Sequence, residues 1–157
     1  MIVVRNFQAR FVPKILAGTK DQTIRQGWKG RPGDITRIQH GSRFKPVLAG
    51  FAPIVSVDTV AISFPDRLIH VFPGILDLRA VPEPIESYWR PDDLDGFAQR
   101  DGFDGFLDMS QFPQWRDVTE GFVETIAGVP FLVRSLTRWR PPLVSTRADA
   151  EREVAHG

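Results

Sequence analysis

The 157-residue chain contains no cysteine, which leaves it without a disulfide framework, a thiolate metal site or a cysteine nucleophile. Histidine is scarce too. His40, His70 and His156 lie far apart and match no HxH, HxxxH or HExxH spacing, so the usual grounds for a histidine metal site are missing. GxGxxG, the P-loop pattern and GxSxG are also absent, and with them the motif-level case for a dinucleotide, NTP or α/β-hydrolase site. No apolar run approaches the ~20 residues of a membrane-spanning helix. The N-terminal MIVVRNFQAR carries a charge where a signal peptide would place its apolar segment. The expectation is a cytoplasmic protein with no metal, no cofactor and no membrane partner.

What is present fits one folded domain. Hydrophobic residues at 42% and charged residues at 25% match ordinary globular composition, and the length suits a single core. The net charge of +1 hides a strong polarity along the chain. Residues 1–50 hold ten Lys or Arg against Asp21 and Asp34, a net of +8. Residues 51–133 hold five Arg against fourteen acids, and residues 134–157 five Arg against three acids, nets of −9 and +2. If the first segment's cations share a face, that face attracts a polyanion and the acidic segment orients it.

Ile2 to Val4 reads as a short strand. Val12 to Gly18 carries a helix signal, with Pro13 in the first turn, Val12, Ile15 and Leu16 at i, i+3, i+4, and Gly18 as a left-handed stop. The segment from Thr19 to Arg25 should run extended, Ile24 inward and Thr23 with Arg25 on the opposite face. Gln26 to Gly33 (QGWKGRPG) is a loop closed by Pro32-Gly33-Asp34. Ile35 to Gln39, Val47 to Phe51 and Ile54 to Phe64 read as separate strands, and Leu68 to Phe72 as another. Leu76 to Pro91 is rich in proline and reads as surface loop. A helix should follow with Asp92 or Asp93 as N-cap and Leu94, Phe97 and Ala98 inward. A second helix should start at Asp101, with Phe103, Phe106, Leu107 and Phe112 as its apolar face. Phe131 to Trp139 is the last strand, and residues 143–157 are expected as a mobile tail or marginal helix beyond a domain of residues 1–142.

Ile15-Leu16-Ala17-Gly18 followed by Lys20, Thr23 and Arg25, then by Pro32-Gly33-Asp34, resembles the ASCH family. The similarity extends over Phe97-Ala98, Asp101-Gly102-Phe103 and the final strand. This resemblance implies an α+β fold of PUA-like type, a small β-barrel or strongly curved mixed sheet with flanking helices. It also implies RNA or a modified nucleoside or nucleotide as partner. Part of the superfamily resembles amidohydrolases acting on N4-acetylcytidine, whose implied catalytic Lys, Thr and Glu fall here on Lys20, Thr23 and Asp101. Asp101 stands where that pattern has Glu, one methylene longer.

Those three residues support more than one chemistry. Lys20 as proton acceptor would make Thr23 a nucleophile for an acyl carbon, with the Asp101 carboxylate orienting or relaying protons. A ribonuclease using Lys20 for acid or electrostatic work is another option. An equal alternative is an ordinary ion pair between Lys20 and Asp101, with Thr23 a routine strand residue and Arg25 an anion clamp. Arg10, Lys14, Lys29, Arg31 and Arg43 are candidate phosphate contacts, as is Lys45. Arg134, Arg138 and Arg140 bracket Trp139, a ring that either stacks on a splayed base or is buried by the fold. A third class of function is a protein-interaction module using the acidic stretch Asp92 to Asp108.

Overall fold

The computed structural model describes residues 1–76, 83–115, 123–126 and 128–156. Its strands are β1 (Ile2–Phe7), β2 (Gln22–Arg25), β3 (Ile35–Ser42), β4 (Lys45–Ser63), β5 (Leu68–Phe72), β6 (Glu86–Tyr88), β7 (Val123–Ile126) and β8 (Val129–Trp139). The helices are α1 (Val12–Leu16), α2 (Pro91–Arg100), α3 (Phe106–Ser110) and α4 (Arg147–His156). All eight strands join one sheet in the order β1-β3-β4-β5-β6, with β8 pairing to β2, β4 and β7. β1 and β3 are parallel, which requires a crossover, and the connection between them carries α1 and β2. The fold is α+β, dominated by this mixed sheet, and the pairings among the described residues form a branched path rather than a ring. Among these residues no helix is long and apolar enough to cross a membrane.

The residues divide into two compact units. Met1–Thr23, Lys29–Val57 and Thr137–Gly157 form the first, and Ile24–Trp28 with Asp58–Leu136 the second. In the first, Ile15 and Ile38 are completely buried, and full burial of such a side chain contributes about 1.5–3 kcal/mol. Ile35, Phe51 and Ala150 pack together with Ile2 and Val144. In the second, Ala61, Phe72, Phe131 and Val133 form a cluster with Leu68, Leu76, Ile126 and Val129. Leu94, Phe97 and Ala98 face inward from α2 at the expected spacing, and the Phe97 ring meets Tyr88 at a centroid distance of 5.1 Å.

Tertiary contacts overrule the local reading in several places. β1 continues through Arg5 to Phe7, because Arg5 is buried and donates to the Thr137 hydroxyl at 3.3 Å. Val47–Phe51 and Ile54–Phe64 are one strand, β4, with Pro53 inside it. Proline is tolerated there because the ladder to β3 uses its neighbour Ile54, whose N–H donates to the Asp34 carbonyl, while the Pro53 carbonyl accepts from Arg140 N–H. The proline-rich segment contains β6, antiparallel to β5; residues 77–82 of it lie outside the described residues. Arg90, not Asp92 or Asp93, is the N-cap of α2, since Pro91 takes the first helical position. Asp101 closes α2 instead of opening the next helix. α3 begins after Gly105, with the Phe106 N–H held by the Asp95 carboxylate at 2.8 Å, and this rotation leaves Leu107 71% exposed. The C-terminal segment takes the helical one of its two expected forms, α4, docked through Ala150.

Gly50 controls that docking. Phe51 and Val144 exchange two backbone hydrogen bonds of 2.8 Å, and a Cβ on Gly50 would lie 2.8 Å from Leu143 Cβ and 3.0 Å from the Val144 carbonyl oxygen. Gly50→Ala should therefore cost about 1–3 kcal/mol by overpacking. Faster hydrogen exchange across 143–156 in the variant, with the α2 amides unchanged, is the expected result.

Candidate functional site

The local chain sets Lys20 first. After α1 the backbone closes a Schellman turn: Gly18, at φ 80°, donates to the Ile15 carbonyl and Thr19 to the Lys14 carbonyl, both at 3.1 Å. The Lys20 N–H also donates to the Lys14 carbonyl, at 3.0 Å, so the backbone that carries this lysine is fixed by the helix end. Its side chain turns inward and is only 2% exposed. The ammonium donates to the Gln22 carbonyl at 2.7 Å. It lies 5.2 Å from the ring centroids of Phe7 and Phe11 and 6.0 Å from that of Trp139. Three π faces and a carbonyl are the surroundings of a cation held in place.

Gln22 and Thr23 are buried on the same short strand. β2 does not alternate between a wet and a dry face, because Gln22, Thr23 and Ile24 are all enclosed. Gln22 does double duty: its backbone carbonyl takes the Lys20 ammonium, and its side-chain oxygen accepts from Arg138 Nε at 3.0 Å. Sequence reading passed over Gln22, Phe7 and Phe11 because a glutamine in a polar strand and two isolated phenylalanines carry no motif.

In the second unit, Arg25 is half-buried and Asp101 is 4% exposed. Desolvation pulls the Arg25 guanidinium below its ordinary pKa, and the Asp101 carboxylate opposes that shift by attraction. Arg25 and Asp101 are thus electrostatic partners, although the chain separates them by most of its central region. The β2 end that carries Arg25 is anchored through Ser135, whose hydroxyl oxygen lies 2.8 Å from the Arg25 carbonyl and 2.7 Å from that of Gly27.

The proposed phosphate contacts differ in access. Arg10, Lys29, Arg31 and Arg43 are exposed, while Lys14 and Arg138 are half-buried. Lys29 and Arg31 project from a loop braced by Asp34, whose carboxylate accepts from Arg31 N–H at 3.0 Å and from the N-terminal ammonium at 3.2 Å. Trp139 is 2% exposed and packs edge-on against Phe7 at 5.9 Å, so its ring belongs to the wall around Lys20 and offers no open stacking face. Arg134 is likewise buried, donating to the Val133 carbonyl at 2.8 Å. Beside the acidic stretch, a hollow of about 410 Å³ is lined by Arg90, Pro91, Asp92 and Asp93. Among the described residues no group of three His, Asp or Glu side chains converges as a metal site requires.

Charge separates with the units. By sequence the first holds thirteen Lys or Arg against five Asp or Glu, a net of +8, and the second seven Arg against fourteen acids, a net of −7. No family model, curated protein or solved structure matches the chain.

Proposed function

We propose that the protein is an ASCH-type, PUA-like domain, with its sheet curved into a small barrel, that binds RNA or a modified nucleotide through its basic unit. The observation that carries this reading is the segregation of charge: +8 on one compact unit and −7 on the other. A net charge near zero spread evenly would give no long-range field, whereas this division attracts a polyanion to one unit and repels it from the other. Exposed Arg10, Lys29, Arg31 and Arg43 supply the phosphate contacts. In the same unit, Lys20 and Thr23 are the residues assigned to recognition of the base or its modification.

The amidohydrolase reading draws on the same residues and is favoured by the burial of both Lys20 and Thr23, since nucleophilic chemistry benefits from exclusion of water. Two measurements on one preparation separate the readings. Binding of labelled single-stranded RNA should fall at least tenfold in Lys29→Glu/Arg31→Glu, because each reversal removes a phosphate contact and adds a repulsion. Incubation with N4-acetylcytidine should release no acetate from wild type or from Asp101→Glu, whose longer side chain restores the reach of the amidohydrolase pattern. Acetate release that is lost in both Lys20→Met and Thr23→Ala would replace binding by catalysis. RNA affinity unchanged by the double reversal would remove the basic-unit interface.

A further inference from the structure

The β3–β4 hairpin ends in an exposed arm. Its register places Ile38 opposite Gly50 but Gln39 opposite Leu48, leaving Ala49 as the extra residue of a β-bulge, a device that bends a strand and increases its twist. Beyond the bulge every residue from Gly41 to Leu48 is exposed. Ser42 pairs with Lys45, so Arg43 and Phe44 are the two central residues of the turn. The Ser42 hydroxyl oxygen accepts from the Lys45 N–H at 3.0 Å. Gly41, at φ 92°, admits no side chain, because a Cβ would lie 2.7 Å from the Lys45 carbonyl oxygen.

Neither Arg43 nor Phe44 has a positive φ, so the turn's backbone accepts ordinary residues and does not itself select this pair. The apex is phenylalanine, 88% exposed, more than any other large hydrophobic side chain among the described residues. Its surroundings identify the ligand chemistry. Arg43 and Lys45 flank Phe44, the Arg43 guanidinium lies 6.0 Å from the Phe44 ring centroid, and residues 35–57 contain no acidic side chain. An exposed ring between two cations on a basic unit matches the combination that holds single-stranded nucleic acid, a stacking platform with phosphate contacts alongside.

We propose that Arg43-Phe44-Lys45 is a single-strand contact site, in which Phe44 stacks on an unpaired base while Arg43 and Lys45 hold the adjoining phosphates. This rests on the reading that the basic unit binds RNA, and it names unpaired RNA as the form bound. The test compares labelled oligouridylate with a blunt RNA duplex by fluorescence anisotropy. Phe44→Ala should weaken oligouridylate binding about tenfold at fixed salt, leave the salt slope unchanged and spare the duplex. Phe44→Trp should restore the loss, and Arg43→Ala/Lys45→Ala should lower the salt slope by about 1.4. Wild type that binds RNA while Phe44→Ala matches it overturns the contact site alone; wild type that binds no RNA overturns the basic-unit reading with it. Equal losses for duplex and single strand also overturn it. So does an effect of Phe44→Ala confined to anionic phosphatidylserine vesicles, which would make the arm a membrane contact.

Discussion

Raising salt from about 50 to about 200 mM should weaken binding of single-stranded RNA by two to three orders of magnitude, through counterion release. The size follows from the number of cations placed to touch phosphates. Arg10, Lys14, Lys29, Arg31, Arg43, Lys45 and Arg138 are exposed or half-buried on the basic unit. At about 0.7 counterions released per phosphate on a single strand, these contacts give a log–log slope near −5. Each single replacement by alanine should reduce the slope by about 0.7, whereas Arg90→Ala in the acidic unit should leave it unchanged. Anisotropy titrations at five salt concentrations measure all of this. A slope near zero would show that the phosphate backbone is not engaged, leaving a single nucleoside as the ligand.

Phe97→Ala should cost about 3–5 kcal/mol, a large part of the 5–15 kcal/mol that holds a domain folded. Phe97 is 2% exposed and packs against Tyr88 at 5.1 Å, so its removal leaves a void between α2 and β6. The same change loosens the placement of Asp101. That residue caps α2, its N–H shared between the carbonyls of Phe97 and Ala98 at 3.3 and 3.1 Å, and its carboxylate is the charge that attracts the Arg25 guanidinium. Urea unfolding gives the stability change. A loss below about 1 kcal/mol would mean that the site collapses around the deletion and that Phe97 does not anchor the helix.

Much of the path to the candidate site is written locally. Pro13 and Gly18 bracket α1, and the closing turn delivers Lys20 into the core. Leu94, Phe97 and Ala98 mark the inner face of α2, and Leu68–Phe72 coincides with β5. The misreadings share one cause. Arg5, Pro53 and the short strand at Glu86 look like interruptions when each residue is judged beside its neighbours. A partner across the sheet satisfies or excuses each one: Thr137 for Arg5, Arg140 for Pro53, and β5 for β6.

From the sequence alone came the absence of cysteine chemistry, the polarity of charge, the β-rich centre and the order of α1, Lys20, Thr23 and Arg25. These are properties of composition and of periods shorter than one element, which a chain carries whether or not it is folded. Tertiary structure decided that Trp139 is a wall and not a platform, that Asp101 ends a helix and faces Arg25, and that Phe44 stands alone at a turn. Burial and electrostatic partnership depend on residues brought together across long separations, 132 positions for Arg5 and Thr137, and no local pattern records which side chains will meet.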